Sequence, residues 1–221
     1  GELEKMNCTY DEDSKTVSFE TDHLSYYMVG YDRSEEETSK NPFVDVLSTD
    51  WFYQDVLYTT DNGLLFGISE NTFEPNTDMT RAMLVTLLWR MEKMPSASKQ
   101  SFTDVADGMW YTDAISWAAE NGIVYGLSDT VFAPDTPITR EQMVQIFYRY
   151  AQIKGYDMGN AGDLSQLADQ GEISDWAGGG IAWAIGNGLL YGDGSYFNPK
   201  DGAARAQVAA LIHRFAEKYI K

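Results

Sequence analysis

The chain repeats itself, and an internal repeat constrains a fold more tightly than composition can, because each copy must be a unit that buries its apolar face against its neighbours. Phe43-Val44-Asp45-Val46 returns as Phe102-Thr103-Asp104-Val105, 59 residues on. The same 59 residues separate Trp51 from Trp110, Asn62-Gly63 from Asn121-Gly122, Gly67 from Gly126, Phe73 from Phe132, Pro75 from Pro134 and Thr80-Arg81 from Thr139-Arg140. A divergent third copy carries Trp176, Asn187-Gly188, Gly192, Phe197, Pro199 and Arg205. It lies 66 residues beyond the second copy at Trp176 and 65 at Arg205, which predicts a longer linker before it and a loop one residue shorter.

Each copy reads as helix, glycine-bounded loop, helix. In the second, Ala114, Ile115, Ala118 and Ala119 recur at helical spacing, and the helix is expected to stop at Asn121-Gly122, where glycine takes a left-handed cap without steric cost. Thr139 is placed to cap a second helix starting at Arg140, with Gln142 completing a capping box. Met143, Val144, Phe147 and Tyr150 form its apolar stripe. The first copy matches with Met83, Leu84, Leu87, Leu88 and Met91, and the third with Val208, Leu211, Ile212 and Phe215. A helical hairpin of this size buries too little alone, so the expected fold is mainly α, with three tandem helix-loop-helix repeats in a pseudo-threefold bundle. The repeats are placed at 42–94, 101–154 and 164–219. The connector 155–170 is polar and glycine-rich but includes Leu164 and Leu167, which allow a helical turn.

Residues 1–33 fall outside the repeat. Val17–Thr21 and Tyr27–Tyr31 alternate like strands, with Asp11-Glu12-Asp13-Ser14 as a turn, and read as the last strands of an upstream β module. An acidic linker at 34–41 follows. The start at Gly1, without an initiator Met or a basic-then-apolar leader, reads as a piece of a longer protein and leaves export open.

Composition enters through what it excludes. At 43% hydrophobic and 14% aromatic, the chain has enough apolar material to offset ordering entropy. A net charge of −18 repels phosphate backbones and anionic lipid, which argues against nucleic acid as a partner. One cysteine, Cys8, and two histidines, His23 and His213, supply neither an intrachain disulfide nor a usual zinc site, so no metal or cofactor is expected. No apolar run approaches the ~20 residues that membrane insertion needs. No Gly-x-Ser-x-Gly, His-Glu-x-x-His or phosphate-loop pattern occurs, no catalytic residue is assigned, and an enzyme is not expected within this chain.

The order Phe-x-Asp-Val, Trp, Asn-Gly-Ile/Leu, Gly, Phe-x-Pro and Thr-Arg resembles the S-layer homology repeats that hold exported proteins on bacterial cell walls, and three in tandem is the usual arrangement of that family. The resemblance covers residues 42–219. The strand segment Thr21–Tyr31 is also similar to the end of β modules that precede such repeats in surface proteins. The resemblance implies a three-pronged helical domain, extracellular on the cell wall of Gram-positive bacteria. It further implies recognition of a secondary cell-wall polysaccharide, often pyruvylated, in grooves between repeats.

The residues permit that role. Arg81, Arg140 and Arg205 open their second helices, where free backbone N–H groups and the dipole favour an anion, and a guanidinium adds a fork for a carboxylate. Trp51, Trp110 and Trp176 offer flat faces for sugar rings, beside Asp50, Asp107 and Asp175 as acceptors for hydroxyls. The bland alternatives stay open: the arginines can pin neighbouring repeats through carboxylates, and the tryptophans can be wedges between repeats. Asp45 and Asp104 read as cap or turn residues. The third copy departs from the pattern, with Ala204 in place of the capping Thr and a Gly178-Gly179-Gly180 run after Trp176 that the others lack. Three functions remain: a non-catalytic anchor on wall polysaccharide, a self-assembly module meeting other surface-layer subunits, or the targeting tail of an extracellular hydrolase. Binding of an anionic polymer by so acidic a chain needs local positive pockets, which predicts a sharp loss with Arg81→Ala or Arg140→Ala.

Overall fold

A computed structural model describes residues 8–11, 16–20 and 41–220. It divides into two units, residues 1–40 and 41–221. In the first unit, β1 (Cys8–Asp11) pairs antiparallel with β2 (Thr16–Phe19), Cys8 opposite Phe19 and Asp11 opposite Thr16. The strand expected at Val17–Thr21 is thus seen as Thr16–Phe19, its partner precedes it, and the segment Tyr27–Tyr31 lies outside the described residues.

The second unit is mainly α. Its helices are α1 (Tyr53–Asp61), α2 (Arg81–Met91), α3 (Thr112–Glu120), α4 (Arg140–Ile153), α5 (Gly178–Gly186) and α6 (Arg205–Tyr219), two per repeat. The connector 155–170 holds a 3-10 turn at Leu164–Gln166, and another follows at Gln170–Glu172. The triple glycine is the first turn of α5, where Gly180 packs against the Gln145 side chain of α4, which would have to shift to admit a Cβ.

Both helix-end signals operate as the local chemistry dictates. Gly122 takes φ +69, and the N–H groups of Gly122 and Ile123 close back on the carbonyls of Ala119 and Ala118, a Schellman ending; Gly63 and Gly188 repeat the conformation. Thr80 accepts from the Met83 N–H, and Thr139 forms a capping box with Gln142. Ala204 has the extended cap conformation, φ −65 and ψ 148, but no oxygen to offer. Ala204→Thr should therefore stabilise the unit by about 1 kcal/mol, read as a raised melting temperature.

The helix pairing departs from the expected hairpins. The packed pairs are α2 with α3, α4 with α5 and α6 with α1, so the second helix of each repeat packs on the first helix of the next. The last pair closes a ring between the third repeat and the first, with His213 stacked on Tyr58 at 4.2 Å and its Nδ1 2.8 Å from an Asp55 carboxylate oxygen. At the centre, three backbone bonds run in a circle: Met79 N–H to Ala203 O, Ala203 N–H to Ile138 O, and Ile138 N–H to Met79 O, at 2.8 to 2.9 Å. Phe73, Phe132 and Phe197 are fully buried near this axis, and the stripes of α2, α4 and α6 complete one continuous core. The physical reason is local length. A glycine-rich loop that carries the buried phenylalanine separates the two helices of a repeat, and the ring arrangement gives each apolar stripe a partner without a long crossover.

The repeated aspartates are clamps across that loop. Asp45, Asp104 and Asp169 each accept two backbone N–H bonds from residues 28 and 29 positions later: Phe73 and Glu74, Phe132 and Ala133, Phe197 and Asn198. The second residue of each pair, Glu74, Ala133 or Asn198, sits at φ +56 to +60, a conformation that costs a residue with a Cβ and needs holding. Asp45 and Asp104 are therefore long-range tethers, not local turn residues. Asp169 is a third member within the expected connector, where Leu167 stands in the place of Phe43 and Phe102.

Candidate functional site

The three first-turn arginines turn out of their own repeats and into the next. Arg81 donates from Nε to Phe132 O and from Nη2 to Tyr125 O, both at 2.9 Å. Arg140 does the same to Phe197 O at 2.8 Å and Tyr191 O at 3.2 Å, and Arg205 to Phe73 O at 2.7 Å and Phe66 O at 2.6 Å. Each guanidinium also lies over the phenylalanine ring of that loop, at 4.5 to 4.9 Å. They are 6%, 5% and 4% exposed. Burial draws all three down from the ordinary guanidinium value. Nearby carboxylates push back: Asp104 on Arg81; Asp201, Asp193 and Asp169 on Arg140; Glu74 and Asp45 on Arg205. They remain cations.

The helix N-termini are not the free anion sites that the sequence suggests. Arg81 and Ala82 give their N–H groups to Thr136 O and Pro134 O, Arg140 and Glu141 to Asp201 O and Pro199 O, and Arg205 and Ala206 to Thr77 O and Pro75 O. The loop of the next repeat consumes the orphan donors that an anion would have used. The backbone at these helix starts, with two of the three guanidinium nitrogens, is therefore joinery.

Hollows do lie beside the arginines. One, of about 420 Å³, runs along α6 and is lined by Trp51, Arg140, Tyr191, Asp193, Asp201, Gln207 and Arg214 among others. The other, of about 320 Å³, runs along α4 and is lined by Arg81, Tyr125, Gln142, Gln145, Arg149 and Trp176 among others. Each groove draws on all three repeats: an arginine from one, a loop and second helix from the next, and a tryptophan from the third. Repeat symmetry places Arg205, Phe66, Arg90 and Trp110 in the corresponding positions around α2, with Met83 and Thr86 where α4 has Gln142 and Gln145.

The tryptophans are 63%, 53% and 49% exposed at 51, 110 and 176, so they are not buried wedges. Trp51 and Trp110 stand edge-on to Phe52 and Tyr111, at 5.2 and 5.1 Å between centroids. Asp50 accepts the Leu47 N–H at 2.7 Å and fixes the turn leading to Trp51. Asp107 pairs with Lys99 at 2.7 Å on the open surface, and Asp175 is exposed beside Trp176. None of Asp50, Asp107 and Asp175 is among the residues that line the two grooves. The segment before Trp176 is held by Glu141, whose carboxylate accepts from the Ser174 N–H and hydroxyl at 3.1 Å and from Lys200 Nζ at 2.6 Å.

Sequence reasoning missed a second arginine in each repeat. Arg90, Arg149 and Arg214 lie nine residues after the first, each over the aromatic ring that precedes a repeated glycine: Phe66 at 4.9 Å, Tyr125 at 4.8 Å and Tyr191 at 5.2 Å. That shared spacing is the signal that could have found them. Arg90 donates to Leu64 O at 3.1 Å and Arg214 to Leu189 O at 3.3 Å. Burial lowers Arg90 and Arg149 from the usual guanidinium value. A flat aromatic face, an exposed indole and two guanidinium groups around an open hollow suit a polar ring carrying an acid, held by stacking and forked hydrogen bonds.

The family model of the S-layer homology domain matches residues 42–82, 101–144 and 166–209, more than half of the chain. The chain belongs to the S-layer homology domain family. Similar proteins include an amylopullulanase of Thermoanaerobacterium thermosulfurigenes, 32% identical over 94% of this chain and 11% of that protein. A surface-layer 125 kDa protein of Lysinibacillus sphaericus is 29% identical over 71% of this chain and 13% of its own length. A cellulosome-anchoring protein of Acetivibrio thermocellus is 29% identical over 70% of this chain and 35% of its own length. The chain thus spans a minor part of each of these relatives. S-layer homology domains are cell-surface anchoring modules, and the chain is a cell-surface, cell-wall-associated protein. No helix among the described residues is long and apolar enough to cross a membrane.

Proposed function

We propose that this chain is a non-catalytic anchor that binds a secondary cell-wall polysaccharide in the grooves along α4 and α6. The observation that carries the reading is a paired arginine, an aromatic platform and a half-exposed tryptophan around each of two open hollows, a set of residues that the sequence carries in all three repeats. The buried arginines lock the repeats together and aim one edge toward the groove, while Arg149 and Arg214 provide reachable donors. Sugar rings stack on Trp51 and Trp176, and acidic substituents or hydroxyls meet the guanidinium groups. The net charge of −18 is compatible with an acidic polymer because recognition is confined to these local clusters.

The test is co-sedimentation with cell-wall sacculi before and after chemical removal of their polysaccharide. Binding should disappear with the polymer and should fall more than about tenfold in the double variant Arg149→Ala/Arg214→Ala. The melting temperature of that variant should stay within a few degrees of the parent's. Equal binding to stripped walls, or an unaffected double variant, would reject the reading.

A further inference from the structure

The two grooves share an architecture but differ in charge. The α4 groove contains Arg81 and Arg149 with the neutral amides of Gln142 and Gln145, and no carboxylate lines it. Among the described residues Arg149 makes no hydrogen bond, only its contact with the Tyr125 ring. Its donors therefore face the groove without a protein acceptor. Buried glutamine oxygens without a partner occur beside both grooves, Gln145 Oε1 at α4 and Gln207 Oε1 at α6, so the difference between them lies in the charged groups. Across the repeat, Arg214 already gives one N–H to Leu189 O, Ala210 replaces the second glutamine, and Asp193 and Asp201 enter the lining. Their two carboxylates balance Arg140 and Arg214 in charge.

We propose that the grooves select different sugars on one polymer, the α4 groove a residue bearing a carboxylate and the α6 groove a neutral one held through its hydroxyls. The inference rests on the reading that these grooves hold wall polysaccharide, and it adds a division of labour between them. An incoming carboxylate in the α4 groove satisfies the free fork of Arg149. In the α6 groove the same carboxylate would meet Asp193 and Asp201, and like charges at close range oppose it. Hydroxyls, which donate to carboxylates and accept from guanidinium groups, fit there without penalty.

The experiment uses polysaccharide released from sacculi that retain the chain, offered intact or after its carboxylates have been reduced to alcohols. The parent chain should favour the intact polymer by about tenfold. Arg149→Ala should bring the ratio close to one, and Arg149→Gln should do the same, while the fold keeps its melting temperature. Arg214→Ala should weaken both forms by a similar factor and preserve the ratio. Asp193→Asn/Asp201→Asn should raise affinity for the intact polymer alone. Loss of the preference in Arg214→Ala to the same extent as in Arg149→Ala, or an unchanged ratio in the double Asn variant, would overturn the division of labour and leave the anchor reading standing. Failure of both polymers to bind the parent chain would remove the anchor reading itself.

Discussion

Arg140→Ala should unfold the junction between the second and third repeats before it says anything about binding. The guanidinium bonds two carbonyls, Phe197 O and Tyr191 O, and covers the Phe197 ring at 4.9 Å. Removing it leaves buried acceptors without donors, each costing about 1 to 3 kcal/mol, in addition to the lost ring contact. A total of about 3 to 5 kcal/mol is expected, a melting temperature lower by about 10 °C for a unit of this size. Arg140→Lys should recover little, because an ammonium is a point charge and cannot bridge both carbonyls as the planar fork does. The corresponding loss in Arg81→Ala involves Phe132 O and Tyr125 O. Weak wall binding by either alanine variant would therefore be explained by a loosened ring. Arg149 and Arg214 are the positions at which affinity can be changed with the fold intact, and a parent-like melt for Arg140→Ala would contradict this assignment.

The elements and their ends were legible in the sequence because they depend on near neighbours: Asn121-Gly122 stops a helix and Thr139 with Gln142 starts one, whatever surrounds them. Which helix packs on which was not legible. Periodicity shows that Leu84 and Leu88 face a core, but not that α3 of the next repeat supplies the other side. The arginines illustrate the same limit. Their position in the first turn is plain from Thr-Arg, whereas the destination of the side chain depends on a loop 44 to 57 residues away for Arg81 and Arg140. That loop also takes the helix N–H groups, so the expected anion site became a joint between repeats. Arg149 went unnoticed because it trails an apolar stripe and reads as its solvent edge. Asp169 was hidden by Leu167, a substitution that keeps the apolar role of Phe102 and erases its spelling.

Asp104→Ala should cost about 1 to 3 kcal/mol, since it removes two charge-assisted bonds, from the part-buried Phe132 N–H and the exposed Ala133 N–H, and releases a residue held at φ +60. Asp104→Asn should recover only part of this, because an amide offers one acceptor where the carboxylate offers two. The pH dependence has a defined sign. Burial alone would raise the Asp104 carboxyl, but bonds from the Phe132 and Ala133 N–H groups and the nearby Arg81 guanidinium outweigh it and hold the group below its ordinary value of 3.8. The folded state therefore binds this proton less readily than the unfolded chain. The stabilisation is complete above the ordinary carboxyl value and is lost as pH falls from there through the lowered one. Melting temperatures of the parent chain should drop across that acidic window, with Asp104→Asn showing a shallower fall from a lower plateau. An equal slope in both would show that other carboxylates govern acid unfolding. An unchanged plateau would show that the clamp does not hold the loop, and with it the Phe132 and Tyr125 carbonyls that Arg81 grips.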